Sequence, residues 1–362
     1  VNDDRIERRR LRIMLALALV ACAVLLAALI PSPFVVERPG PVVNTLGEVE
    51  LEDGEVEPVI SVDDAELYEA DGELNLLTVS ILGDPAHPRS WLSLVPSLFD
   101  PAQRVAPVAE FYPEGVTLEQ RQTQNAAYMD SSQMQAAAAA FRWLGEAVPV
   151  ELSVAAVIED GPSDGVLREG DVLLTADGAP IADFAELRAL VTETGAGGRI
   201  VLGIEREGVP QEAAIEPRIP QGGDEPLIGA TIASSYELPN EVDISLSQIG
   251  GPSAGLVFAL GLVERLTPGT MVDGSIISAT GTISGTGEVG AIGGLAQKMW
   301  AADRAESDLF LMPIGNCGDL PERRPEGLRI APVATLDEAI SAVEAVAAGE
   351  EPAGLERCGA GA

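Results

Sequence analysis

The chain has 362 residues and a formal net charge of −35, from 57 Asp and Glu against 22 Lys and Arg. That length accommodates two or three domains, each able to bury a core without a disulfide framework. The acidic excess excludes a body built to grip nucleic acid or an anionic surface, since both attract basic patches.

The N-terminus differs from this picture locally. Arg8, Arg9, Arg10 and Arg12 precede an unbroken apolar run over 13–30. At ~1.5 Å per residue, such a helix nearly matches a ~30 Å hydrocarbon core. The arginines assign the N-terminal side to the cytoplasm and everything after Pro31 to the far side. The expected layout is a cytoplasmic stretch 1–12, a single membrane span 13–31 and an extracytoplasmic bulk. A cleaved signal peptide would have a shorter apolar region, and a lipobox at Leu19-Val20-Ala21-Cys22 would turn polar after the cysteine, which this run does not. Cys317 and Cys358 both fall in the exported part, where disulfides persist, so they are candidates to pair; a free thiol or an inter-chain bridge are the alternatives.

Beyond the span, 31–41 is proline-rich and extended, and 74–81 has the composition of a buried strand. A polar, proline-punctuated stretch follows with the single histidine, His87. Residues 129–144 read as an Ala-rich helix for which Asp130 and Ser131 offer a cap.

Residues 148–218 have a different grammar. A strand at 154–158, the turn Glu159-Asp160-Gly161-Pro162, Leu167-Arg168-Glu169-Gly170-Asp171-Val172-Leu173, Asp177-Gly178, a helix at 183–191 and a strand pair over 200–215 follow in order. This order resembles a PDZ domain. The resemblance implies an extended peptide, such as an exposed C-terminus, added as a strand beside a sheet edge, with 154–158 and 183–191 as the groove walls. A groove filled by the chain itself, or a mere spacer, is the bland counterpart.

From Pro226 the pattern becomes that of an α/β unit. Strands are expected at 228–233, 242–246, 276–279, 289–292 and 309–312, and helices at 254–266, 295–305 and 336–347. Within it, Gly251-Pro252-Ser253-Ala254-Gly255 sets a serine at a helix start, where backbone N–H groups without helical partners can stabilise an oxyanion. Gly251, Ser253 and Ala254 are the candidates for that region. Downstream stands Lys298, the one lysine among the 22 basic residues. An arginine cannot give up its proton, whereas a buried lysine amine can. An arginine-favouring genome would leave the same lone lysine by accident.

Thr280-Gly281-Thr282-Ile283 and Gly293-Gly294-Leu295-Ala296-Gln297-Lys298, followed by Ala301-Ala302, complete the set. Together with Gly251-Pro252-Ser253-Ala254-Gly255 they resemble the proteolytic domain of the Lon protease family, and the exported part as a whole resembles the membrane-anchored, PDZ-containing Lon-like proteases of Gram-positive bacteria. Met129-Asp130-Ser131-Ser132-Gln133 belongs to that likeness. The resemblance implies Ser253 as nucleophile, Lys298 as general base and Thr280 as support for the lysine amine. It also implies a Lon-type proteolytic domain over 222–348, with 32–147 part of the same fold, an inserted PDZ domain and a tail at 349–362. Protein or peptide substrates and a homo-oligomer follow from the same likeness. The chain departs from it at Ile249-Gly250, where ATP-dependent members often carry charges.

No cofactor or metal is implied, because one histidine and no His-Glu-x-x-His leave no zinc-type cluster. With Lys298 alone, no Gly-x-x-x-x-Gly-Lys-Ser/Thr loop exists within these residues. Nor does Ser253 sit in a Gly-x-Ser-x-Gly elbow. The reading is an ATP-independent serine endopeptidase; the rival is an inactive anchored PDZ scaffold.

Overall fold

The computed structural model describes residues 2–50, 54, 56–113, 117–181, 183–220, 225–246 and 249–359. Residue 222, where the sequence places the start of the proteolytic unit, lies outside the described residues, as do the ends of the chain at 1 and 360–362.

Helix α1 (Asn2–Leu29) contains an apolar window, Arg12–Leu29, long enough to cross a membrane and buried against nothing. The body begins with β1 (Phe34–Asn44), β2 (Glu73–Leu82) and β3 (Arg104–Pro107), followed by α2 (Leu118–Trp143). Next come β4 (Val150–Val157), β5 (Val172–Ala176), α3 (Phe184–Thr194), β6 (Ile200–Arg206), β7 (Val209–Ile215) and β8 (Ala230–Tyr236). The chain then forms α4 (Gly255–Leu266), β9 (Ile276–Ala279), α5 (Leu295–Arg304), β10 (Leu309–Pro313), β11 (Ile330–Val333) and α6 (Leu336–Ala347).

The first sheet runs β11-β10-β9-β2-β1-β3, drawing strands from both sides of the 150–236 segment. β2, β9, β10 and β11 are parallel, whereas β1 is antiparallel to β2 and β3. Strands covered on both faces should be apolar throughout, and β10 is buried at every position. Alternate side chains divide between two cores. Leu309 and Leu311 join Leu74, Ile277 and the apolar faces of α2, α4 and α6, while Phe310 and Met312 face Leu295, Met299 and Ala302 of α5. Helices α4 and α5 therefore lie on opposite faces of one sheet.

The second sheet is antiparallel, in order β7-β6-β5-β4-β8, with a separate core built on Leu152, Leu173, Leu187, Leu202 and Ile215. Strand β4 pairs with β5 on one side and with β8 on the other. This corrects two expectations. The strand read at 154–158 has one side taken by β8 up to Val157 and meets the β5 side only at its start, through Leu152, Ser153 and Val154, and the strand read at 228–233 in the α/β unit belongs to this sheet as β8. Its exposure alternates along the strand, the mark of one half-buried face, which short-range pattern alone does not allot to either sheet.

The helix read at 129–144 starts at Leu118, so Asp130 and Ser131 lie mid-helix. Thr117 is the cap, in a reciprocal capping box with Gln120. The first half of α2 is mostly exposed and lacks the apolar period that marks its second half.

Candidate active site

Ser253 follows Gly251, whose φ of +101° only glycine adopts readily, and lies in a single 3-10 turn, Pro252–Ala254, leading into α4. That turn is held from α2: Ser132 Oγ donates to the Pro252 carbonyl at 3.0 Å, and Gly251 N–H donates to the Asn125 carbonyl at 3.1 Å. The contact is too close for any larger residue at Gly255, where a Cβ would lie 2.9 Å from Ile283 Cγ2 and 3.0 Å from Ser132 Oγ. The Gly251 N–H is thereby spent, a correction to the expected oxyanion set. Ser253 and Ala254 lie in the 3-10 turn that leads into α4.

From the other face of the sheet, α5 brings Lys298. Its Nζ lies 2.7 Å from Ser253 Oγ and donates to Thr280 Oγ1 at 2.9 Å. Thr280 follows β9 directly and donates its hydroxyl to the Ser253 carbonyl at 3.2 Å, a carbonyl that also accepts the Gly281 N–H. The three side chains thus meet beyond the carboxyl end of a parallel strand, where α/β sheets characteristically bind ligands. Lys298 is 3% exposed and Thr280 fully buried. Burial pushes the lysine amine down to about 8, opposed by the negative charge of Glu37. An amine so placed is still mostly protonated near physiological pH and gives up its proton as the pH passes about 8; once neutral, its lone pair accepts the Ser253 hydroxyl proton while one N–H points to Thr280.

Ser253 and Lys298 open onto a cleft of about 920 Å³ between β1, β2, the start of α2 and the Gly293-Gly294 loop. Its charged wall was not anticipated from sequence. Buried Glu37 accepts from Arg104 Nε at 2.6 Å, and Arg104 is clamped further by Glu110. The guanidinium of Arg121 stacks on the Tyr112 ring at 4.4 Å. These arginines and carboxylates come from separate segments, and no local motif joins them.

A second feature escaped sequence reading. Buried Asn316 accepts the Ile292 N–H and donates to the Ile292 carbonyl, both at 2.9 Å, bracketing the irregular run that leads into Gly293-Gly294 and the Lys298 helix. Next to it Cys317 is joined to Cys358 by a disulfide. Gly294, at φ +69°, packs so tightly that a Cβ would lie 2.7 Å from Val79 Cγ2. His87 is remote from this chemistry, exposed beside Asp84 at 3.2 Å.

Residues 248–345 match the family model of the Lon protease (S16) C-terminal proteolytic domain, and residues 115–216 match that of the PDZ domain. Over 109 residues the chain is 38% identical to the Lon protease of Vibrio parahaemolyticus, covering 29% of this chain and 13% of that one. It is 36% identical over 96 residues to the Lon protease of Aster yellows witches'-broom phytoplasma, covering 26% and 12%. The matched stretch thus spans about an eighth of those relatives' length. Among solved structures, the PDZ domain of an SdrC-like protein from Listeria monocytogenes is similar at 23% identity over 23% of this chain and 86% of that one, with a TM-score of 0.22. The chain carries a C-terminal proteolytic domain of the Lon (S16) serine peptidases together with a PDZ domain.

Proposed function

We propose that the protein is a membrane-anchored serine endopeptidase that cleaves extracytoplasmic proteins without ATP, using Ser253 and Lys298 as its dyad. The observation that carries this reading is a buried, deprotonable amine 2.7 Å from a helix-start serine at the mouth of a cleft. Ser253 Oγ attacks the scissile carbonyl carbon as its proton passes to Lys298 Nζ, and the carbonyl electron pair moves onto oxygen. Backbone N–H groups at the start of α4, that of Ser253 among them, stabilise that charge. Collapse breaks the C–N bond, and the lysine ammonium protonates the leaving amine. Water then attacks the acyl-serine by the same route in reverse. Thr280 orients the amine through the 2.9 Å hydrogen bond.

The anchor is α1, with Arg8, Arg9, Arg10 and Arg12 on the cytoplasmic side. The proteolytic fold takes in 32–147 and the segment after 236, with the PDZ unit between them extended to include β8. In that unit the strand offered to a peptide is β8, because among the described residues it pairs on one side only and its Ala230 and Ile232 pack into the core that holds Leu187 of α3. ATP independence rests on the absence of a P-loop lysine within these residues.

The test is digestion of an unfolded protein by the full chain in detergent or vesicles without nucleotide, with Ser253→Ala as control. Cleavage that the substitution abolishes supports the proposal. A folded wild type that binds peptides at β8 but never cleaves them would replace it with the scaffold reading.

A further inference from the structure

The stretch 90–99 carries no charged side chain, in a chain of which 22% is charged. It forms two short helical turns, Trp91–Leu94 and Pro96–Leu98, with Leu94 and Ser97 turned inward. Trp91, Leu92, Val95, Leu98 and Phe99 point outward at the spacing of one helix face. Leu98 is 68% exposed, and Phe99, at 79%, is the most exposed large apolar side chain among the described residues. Such a face is costly in water and marks an interaction surface.

Its position identifies the occupant. Trp91 N–H donates to the Ile30 carbonyl at 3.4 Å, Ser32 N–H to the Arg89 carbonyl at 2.7 Å, and Pro31 bridges Ser90. The Trp91 ring also meets Phe34 edge-on at 5.6 Å. The apolar stripe is therefore stitched to the chain where it leaves α1. Tryptophan and phenylalanine beside uncharged aliphatics suit the boundary between headgroups and acyl chains, where aromatic rings collect.

We propose that Trp91, Leu92, Val95, Leu98 and Phe99 form a foot that inserts into the outer interface of a phospholipid bilayer and fixes the proteolytic body against the membrane. The inference rests on α1 being a membrane span. With no charge on the foot and a strongly acidic chain, insertion is apolar and independent of anionic lipid or salt.

The full chain, carrying Trp143→Phe and Trp300→Phe so that Trp91 is the one tryptophan, is reconstituted into phosphatidylcholine vesicles and separated by flotation. Brominated acyl chains should then remove most of the Trp91 emission, more with bromine near the headgroup than at the bilayer centre, and high salt should leave this unchanged. As a second reading free of those replacements, Phe99→Cys with Cys22→Ala and an environment-sensitive dye should shift its emission to the blue in vesicles. Leu98→Glu with Phe99→Glu, both exposed, should abolish the quenching and leave flotation intact. Floating protein whose Trp91 is open to acrylamide but not to bromolipid overturns the foot and leaves the span standing. Shielding from both quenchers means a second copy covers the face, and also overturns it. Protein that does not float refutes the span and the foot with it.

Discussion

Lys298 and Ser253 stand on helices that pack against opposite faces of one sheet, and their side chains meet at 2.7 Å beyond the end of β9. The amine meets the serine in a buried site, and that burial lowers its pKa to about 8, so that the neutral form able to take up a proton is within reach. The rate constant kcat/KM should therefore rise with pH and level off above a midpoint near 8. Glu37→Gln removes the one charge opposing the desolvation and should move this midpoint down. A pH-rate profile of both proteins on a peptide substrate checks the order of the two midpoints.

Thr280 holds the amine by accepting one N–H while its own hydroxyl is committed to the Ser253 carbonyl. Thr280→Val keeps the volume and removes both bonds. It should lower kcat by roughly 10- to 100-fold, part of the ~10²–10⁴ available to acid–base catalysis, with KM little changed; Thr280→Ser should restore most of the rate. Steady-state kinetics on the two variants, with circular dichroism to verify the fold, makes the comparison.

Catalytic placement of Lys298 should cost stability. Its folded pKa lies below the ordinary 10.5, so between about 8 and 10.5 the unfolded chain binds more protons than the folded one, and stability rises with pH across that window. Below about 8 the penalty is present in full, on the order of 3 kcal/mol at ~1.4 kcal/mol per tenfold shift. Lys298→Met should be inactive, more stable at neutral pH, and lacking the alkaline gain that wild type shows. Denaturant titrations at neutral and alkaline pH measure both effects.

Asn316 should matter as a positioning residue, although it touches no reacting atom. Asn316→Ala leaves the N–H and carbonyl of Ile292 without these partners, at roughly 1–3 kcal/mol per buried group. Loosening the run into Gly293-Gly294 should also lower kcat while the acid–base midpoint stays near that of wild type. Replacing Cys317 and Cys358 by serine opens a loop of sequence separation 41, which should lower stability by roughly 2–4 kcal/mol. Thermal unfolding and a pH-rate profile separate lost stability from lost positioning.

What was legible in the sequence had short-range signatures. Gly251-Pro252-Ser253-Ala254-Gly255 and the lone Lys298 are local patterns, and the fully apolar 309–312 announced a strand, which the fold covers on both faces. The exposed half of α2 had no apolar period to read, although Thr117-x-x-Gln120 was available as a cap signature. Glu37 with Arg104, and Asn316 with Ile292, are pairings across long separations that only the fold brings together. The mistaken edge strand has the same origin. β4 has the alternation of a half-buried strand, but its partner β8 lies more than seventy residues further on, past a full hairpin.

The most direct measurement is cleavage of an unfolded protein, without ATP, by wild type, Ser253→Ala and Lys298→Arg side by side, each checked for unchanged folding. Arginine keeps the positive charge but cannot take up a proton. The account predicts turnover by wild type and none by either variant. Undiminished turnover in folded Lys298→Arg would contradict it, because the serine would then be activated by something other than a neutral lysine.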